Sequence, residues 1–176
     1  YYTRHIKGNK LLQLDVPVKE EELLEKWSSK KKFCCFVVSN SSCEKRNLFF
    51  KALNRIKPVD SAGKFLNNVG YYLEGGSSKK LEFIRDYRFV ISFENSSYPG
   101  YTTEKILEPL MVGSIPIYWG DPLLYRDFNY KRIVNCDDFK NERDVIDRVL
   151  EINDKPELAL GILKENCFSA SNEGVE

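Results

Sequence analysis

Residues 89–119, F-V-I-S-F-E-N-S-S-Y-P-G-Y-T-T-E-K-I-L-E-P-L-M-V-G-S-I-P-I-Y-W, constrain the fold more than any other part of the chain. An apolar run of strand length leads into a polar loop containing Pro99 and Gly100. A stretch at helical spacing and a second apolar run follow, so the segment reads as strand, loop, helix, strand. The alternation recurs. Strands are expected over 33–39, 88–93, 114–119 and 132–136, with a short one at 59–61. Helices are expected over 18–27, 77–87, 103–112, 141–152 and 156–166. One more should lie between an S-x-x-E capping box at Ser41 and Glu44 and the terminator Pro58, its apolar stripe made by Leu48, Phe49, Ala52, Leu53 and Ile56. Thr102 suits the N-cap of the 103–112 helix, Gly113 its C-terminal cap, and Pro109 should kink or shorten it. Strands alternating with helices imply an α/β, Rossmann-like parallel sheet with helices on both faces. Residues 1–17 read as an extended lead-in and 168–176 as a tail without structural signal.

The composition removes several function classes. The chain is 42% hydrophobic and 30% charged, enough to bury a core, and its net charge of +1 gives no footprint for nucleic acid. No apolar run approaches the roughly 20 residues that span a bilayer. The basic run Lys30-Lys31-Lys32 reads as a solvated entry to a strand. Cys34 and Cys35 are adjacent in an expected strand and so point to opposite faces; with an odd total of five cysteines, this favours free buried thiols and a reducing, cytoplasmic compartment. His5 is the only histidine, which argues against a zinc site and against a Ser-His or Cys-His nucleophile pair.

Two loop-to-helix junctions carry the chemistry. One follows the strand at 33–39 and contains Arg46; the other runs from Glu94 to Lys105. Carboxyl ends of parallel strands that feed helix amino ends are where such sheets bind anions. A lysine in a first helical turn is disfavoured by the dipole by roughly 0.3–1 kcal/mol, unless an anion shares the spot. Arg46 offers a fork for phosphate oxygens and Lys105 a point charge, so the pair can converge on a pyrophosphate-like group. Glu104 suits the positive helix end and can also accept from sugar hydroxyls. Glu94 and Asn95 end an otherwise apolar strand, and Tyr101, presented by Pro99-Gly100, can stack on a ring or donate to phosphate. Neither G-x-G-x-x-G nor a P-loop occurs.

The long central motif, from F-E-N-S-S-Y-P-G-Y-T-T-E-K through I-Y-W-G-D-P, resembles the signature of the α-1,3/4-fucosyltransferase family, bacterial members above all. F-V-V-S-N-S-S-C-E-K-R-N-L-F-F-K-A-L, V-D-S-A-G-K-F-L-N-N-V-G and R-D-F-N-Y-K-R-I-V-N-C-D-D-F-K-N are similar to that family too, so the likeness runs from about residue 33 to 152. The resemblance implies one half of a GT-B glycosyltransferase that uses GDP-fucose, inverts the anomeric carbon and needs no metal or other cofactor. It implies that Arg46 contacts the diphosphate and that Asn95, Tyr101, Glu104 and Lys105 line the donor site. The acceptor is expected to be a glycan containing N-acetylglucosamine.

The same resemblance divides the chain into a lead-in with a short helix (1–32), a donor-binding domain (33–167) and a tail (168–176). The family's acceptor-binding half, the expected source of a glutamate general base, would precede this segment, and residues 1–32 are too few to form it. The chain alone is therefore expected to bind donor and to transfer little. Glu94 is the alternative candidate for the base. The family's basic amphipathic C-terminal tail, which would give peripheral association with the inner membrane, is also not seen. A non-catalytic guanine-nucleotide or nucleotide-sugar binding module is the rival function.

Overall fold

The computed structural model describes Leu14, residues 17–74 and residues 76–169. Most of the expected lead-in and residues 170–176 of the expected tail lie outside the described residues. Five parallel strands form one sheet in the order β2-β1-β3-β4-β5: β1 (Lys32–Phe36), β2 (Val59–Ser61), β3 (Tyr87–Phe93), β4 (Ile115–Trp119) and β5 (Val134–Asn135). The helices are α1 (Glu20–Ser29), α2 (Glu44–Ile56), α3 (Ser77–Ile84), α4 (Glu104–Met111), α5 (Glu142–Asp154) and α6 (Pro156–Leu163).

The two faces are packed separately, as a parallel sheet requires. On one, Cys34, Phe36, Phe89, Ile91, Phe93, Ile115 and Ile117 meet Trp27 of α1, Phe49, Phe50 and Leu53 of α2, and apolar residues of α5 and α6. On the other, Tyr118 packs with Ile106, Leu107 and Leu110 of α4, while Cys35 and Val90 pack with Ile84 at the end of α3. Cys34 and Cys35 do point to opposite faces, and all five cysteines are buried with no disulfide between them. Among the described residues no helix is long and apolar enough to cross a membrane.

Four local expectations are corrected. The capping box does not form: Asn40 Oδ1 accepts from the Ser42 amide and hydroxyl, which turns the chain, and α2 starts after Cys43 with no side-chain cap. The buried stripe of α2 is then Arg46, Phe49, Phe50 and Leu53, spaced i, i+3, i+4, i+7. Leu48 and Ile56, expected inside, are exposed. Lys30 is not solvated: its ammonium donates to Arg85 O, Val112 O and Ser114 Oγ, tying together the connections that enter β3 and β4. Finally, the start of the expected tail is structured: Phe168 pairs with Phe128 in an antiparallel bridge, and the Ser169 amide donates to Asp127 O.

Candidate functional site

The strand order places β1 and β3 side by side at the point where connections leave in opposite directions, α2 covering one face and α4 the other. In open parallel sheets of this order the ligand crevice lies outside the carboxyl ends of those two strands. The two junctions singled out from sequence both open there, one after Phe36 and the other after Phe93.

Arg46 sits in the first turn of α2 and, because it occupies the buried stripe, its side chain runs inward under both loops. Nη1 donates to Asn95 Oδ1 at 2.8 Å and, more weakly, to Phe93 O at 3.4 Å; Nη2 donates to Asn40 O at 2.6 Å. The residue is 0% exposed, and Nε finds no partner. Burial pushes its pKa down, although a guanidinium keeps its charge at any ordinary pH. Arg46 thus joins the loop after β1 to the loop after β3.

Lys105 lies in the first turn of α4, with Thr103 rather than Thr102 at the N-cap. Its ammonium donates to Glu94 Oε2 at 3.1 Å and to Thr103 Oγ1 at 3.0 Å, and lies 3.8 Å from Glu104 Oε1. The Glu94 carboxylate is wholly buried and also accepts from the Thr103 amide at 2.8 Å. Arg46 and Lys105 are therefore anchored to the consecutive residues Asn95 and Glu94. Glu104 is exposed, and Asn95 and Tyr101 are half-buried. All five expected donor-site residues come from the two junctions at this edge.

Three features were not singled out from sequence. A Cβ on Gly120 would come within 2.5 Å of Glu94 Cγ, so the turn after β4 is a glycine because Glu94 lies against it. Asp121 is buried and accepts from Gly100 and Thr102 of the 94–103 loop. Lys45 places a further cation at this edge, 4.6 Å from the Trp119 ring centroid. The G-D-P turn was visible as a turn, but its reach across the sheet edge depends on strand neighbours. Among the described residues no three His, Cys, Asp or Glu side chains gather as a metal site. A hollow of about 580 Å³ lies at the opposite, amino ends of the strands. Lys30 in its wall is already committed to three acceptors, so the sheet's carboxyl edge is the better site.

The five-stranded parallel sheet with its helices has the fold of a Rossmann-like half of a GT-B glycosyltransferase. The sequence model of the family described as glycosyltransferase family 10 (fucosyltransferase) C-term matches residues 27–160, and the chain belongs to that family. It is 41% identical over 137 residues to the alpha-(1,3)-fucosyltransferase FucT of Helicobacter pylori, covering 78% of this chain and 28% of that protein. It is 32% identical over 123 residues to alpha-(1,3)-fucosyltransferase B of Drosophila melanogaster, covering 64% and 28%. A crystal structure of an alpha1,3-fucosyltransferase with GDP superposes with a TM-score of 0.76 at 39% identity, covering 82% of this chain and 41% of that one. One with GDP-fucose gives 0.76 at 35% identity, covering 95% and 51%. The chain thus spans about a quarter of the curated relatives and about half of the solved structures.

Proposed function

We propose that this chain is the donor-binding half of an inverting fucosyltransferase, holding GDP-fucose at the carboxyl edge of β1 and β3 for transfer to a glycan containing N-acetylglucosamine. The observation that carries the reading is the anchoring of Arg46 and Lys105 on adjacent residues, Asn95 and Glu94, at the strand switch point. The relatives with GDP and with GDP-fucose support the choice of nucleotide. Lys105 meets a diphosphate oxygen from the first turn of α4, where free amides add to its charge. Arg46, held in place by Asn95 and Asn40, directs its charge at a second oxygen. Glu104, exposed beside Lys105, takes ribose or sugar hydroxyls, and Tyr101 donates a hydrogen bond.

As the acceptor hydroxyl attacks the anomeric carbon, charge grows on the departing GDP, and the two cations stabilise it electrostatically in the place of a metal. Glu94 supports Lys105 and is not the base: its carboxylate is buried and committed to Thr103 and Lys105. The base then comes from outside this segment. Five buried cysteines without a disulfide fit a reducing cytoplasmic setting, with peripheral association at the inner membrane.

Calorimetric titration with GDP, GDP-fucose and UDP tests the reading. Guanine nucleotides should bind and UDP should not compete, and Lys105→Ala should weaken GDP by about tenfold, the equivalent of one charge-assisted hydrogen bond. Equal affinity for UDP, or GDP binding indifferent to Lys105, overturns it.

A further inference from the structure

We propose that Asp121 is the positioning residue of the donor loop, a role that rests on the donor-site reading above and extends it to a residue outside the Glu104-Lys105 pair. Asp121 follows β4 and is 4% exposed. Its Oδ1 accepts from the Gly100 amide at 2.9 Å and its Oδ2 from the Thr102 hydroxyl at 2.7 Å. Gly100 and Thr102 are the two neighbours of Tyr101. One carboxylate therefore grips the loop on both sides of the residue proposed to donate to the nucleotide.

The carboxylate is itself held. Oδ1 also accepts from the Leu123 amide at 2.8 Å, and the Asp121 amide donates to Tyr118 Oη at 3.1 Å. Tyr118 is a buried strand residue on the α4 face, so the clamp is referred to the sheet and not to another loop. On the loop side, Gly100 has a φ of +78°, a conformation that a side chain would strain, and the Tyr101 amide donates to Tyr98 O at 3.0 Å. The backbone around Tyr101 is thus fully specified, while Tyr98 and Pro99 at the loop tip stay exposed. A residue that only capped its own turn would need the Leu123 contact alone. The bonds to Gly100 and Thr102 cross 21 and 19 residues of sequence to reach the donor loop. Hydrogen bonds to an ionised carboxylate are the strong kind, and a site held by such supports keeps its geometry.

The test uses Asp121→Ala, Asp121→Asn and Thr102→Val with two readouts. In the ligand-free chain, exchange of the Gly100 amide hydrogen should accelerate by at least about tenfold in Asp121→Ala, since local opening sets that rate. GDP-fucose affinity should fall by about tenfold in Asp121→Ala and by less in Thr102→Val, which loses one of the two cross-loop bonds. Asp121→Asn keeps Oδ1 for both amides and should stay within about threefold of the parent. Combined with Tyr101→Ala, the Asp121→Ala loss should largely vanish, because both changes remove the same contact; combined with Lys105→Ala it should add in full. Unchanged Gly100 exchange in Asp121→Ala, or a loss that adds fully to Tyr101→Ala, overturns the assignment. A parent chain that binds no GDP-fucose overturns the donor reading, and with it Asp121's role toward a nucleotide, while the exchange result separately decides whether the clamp exists.

Discussion

Arg46 donates to Asn95 across the strand switch point at 2.8 Å, so the cation of one junction is held by the loop of the other. The consequence is mechanical as well as electrostatic. Removing Asn95 leaves Nη1 with only the long contact to Phe93 O, inside a region that water does not reach. Asn95→Ala should lower stability by about 1–3 kcal/mol, the cost of a buried donor without a partner, and should weaken GDP as well. Arg46→Lys should not restore either property, because an ammonium cannot reach Asn40 and Asn95 together. Chemical denaturation and calorimetry on the same preparations check both statements; an Arg46→Lys variant with parental GDP affinity would contradict them.

Glu94 separates a supporting from a proton-transferring role. In a full-length enzyme carrying this half, Glu94→Gln should raise the KM for GDP-fucose and leave kcat at saturating donor within about a few-fold, as expected when ground-state and transition-state binding fall together. A base would show the opposite split, with kcat collapsing while KM holds. Steady-state kinetics over a range of donor concentrations decide the matter.

Gly120 should be intolerant for a reason that lies on a different strand. An added methyl would meet Glu94 Cγ at 2.5 Å and Tyr118 Oη at 3.1 Å. Because Glu94 is locked by Thr103 and Lys105, the clash cannot be relieved by a free rotation. Gly120→Ala should destabilise by about 1–3 kcal/mol, the usual cost of overpacking, and should weaken GDP by displacing the partner of Lys105. A variant with parental melting temperature and parental affinity would show that the turn can yield.

These relationships mark the limit of what could be read from the chain alone. The apolar runs at 33–39, 88–93 and 114–119 were legible as strands because both faces are covered, and the junction residues were legible because strand ends and helix starts are local features. Which charged residues go inside was not. Arg46 fits the i, i+3, i+4, i+7 stripe of α2, yet a stripe drawn from apolar residues alone passes over it and takes in Leu48 and Ile56 instead. Lys30 is buried because backbone acceptors from distant segments meet it, and Glu94 because the far end of its own loop folds back on it. Asp121 reads as an ordinary turn residue until β3 and β4 are placed side by side. The burial of Arg46 and Lys30 and the reach of Asp121 share one cause, partners far away in sequence, whereas the lost capping box reflects a local competitor, Asn40.

Asp60 on β2 accepts from the Tyr87 hydroxyl at 2.6 Å and from the Lys32 ammonium at 3.0 Å, joining β2, β1 and β3. Burial pushes the Asp60 carboxyl up, but the Tyr87 and Lys32 bonds outweigh it and hold the group below its ordinary value. A carboxyl with a lowered folded-state pKa binds protons more readily when unfolded. Its contribution is therefore complete above the unfolded value of about 3.9 and is lost as pH falls through the folded one. Asp60→Asn should melt lower than the parent near neutral pH, and the gap should narrow below about pH 4 as the parent loses the charge that the variant never had. A gap that stays constant down to about pH 2 would mean that the packing of Asp60, and not its charge, links the three strands.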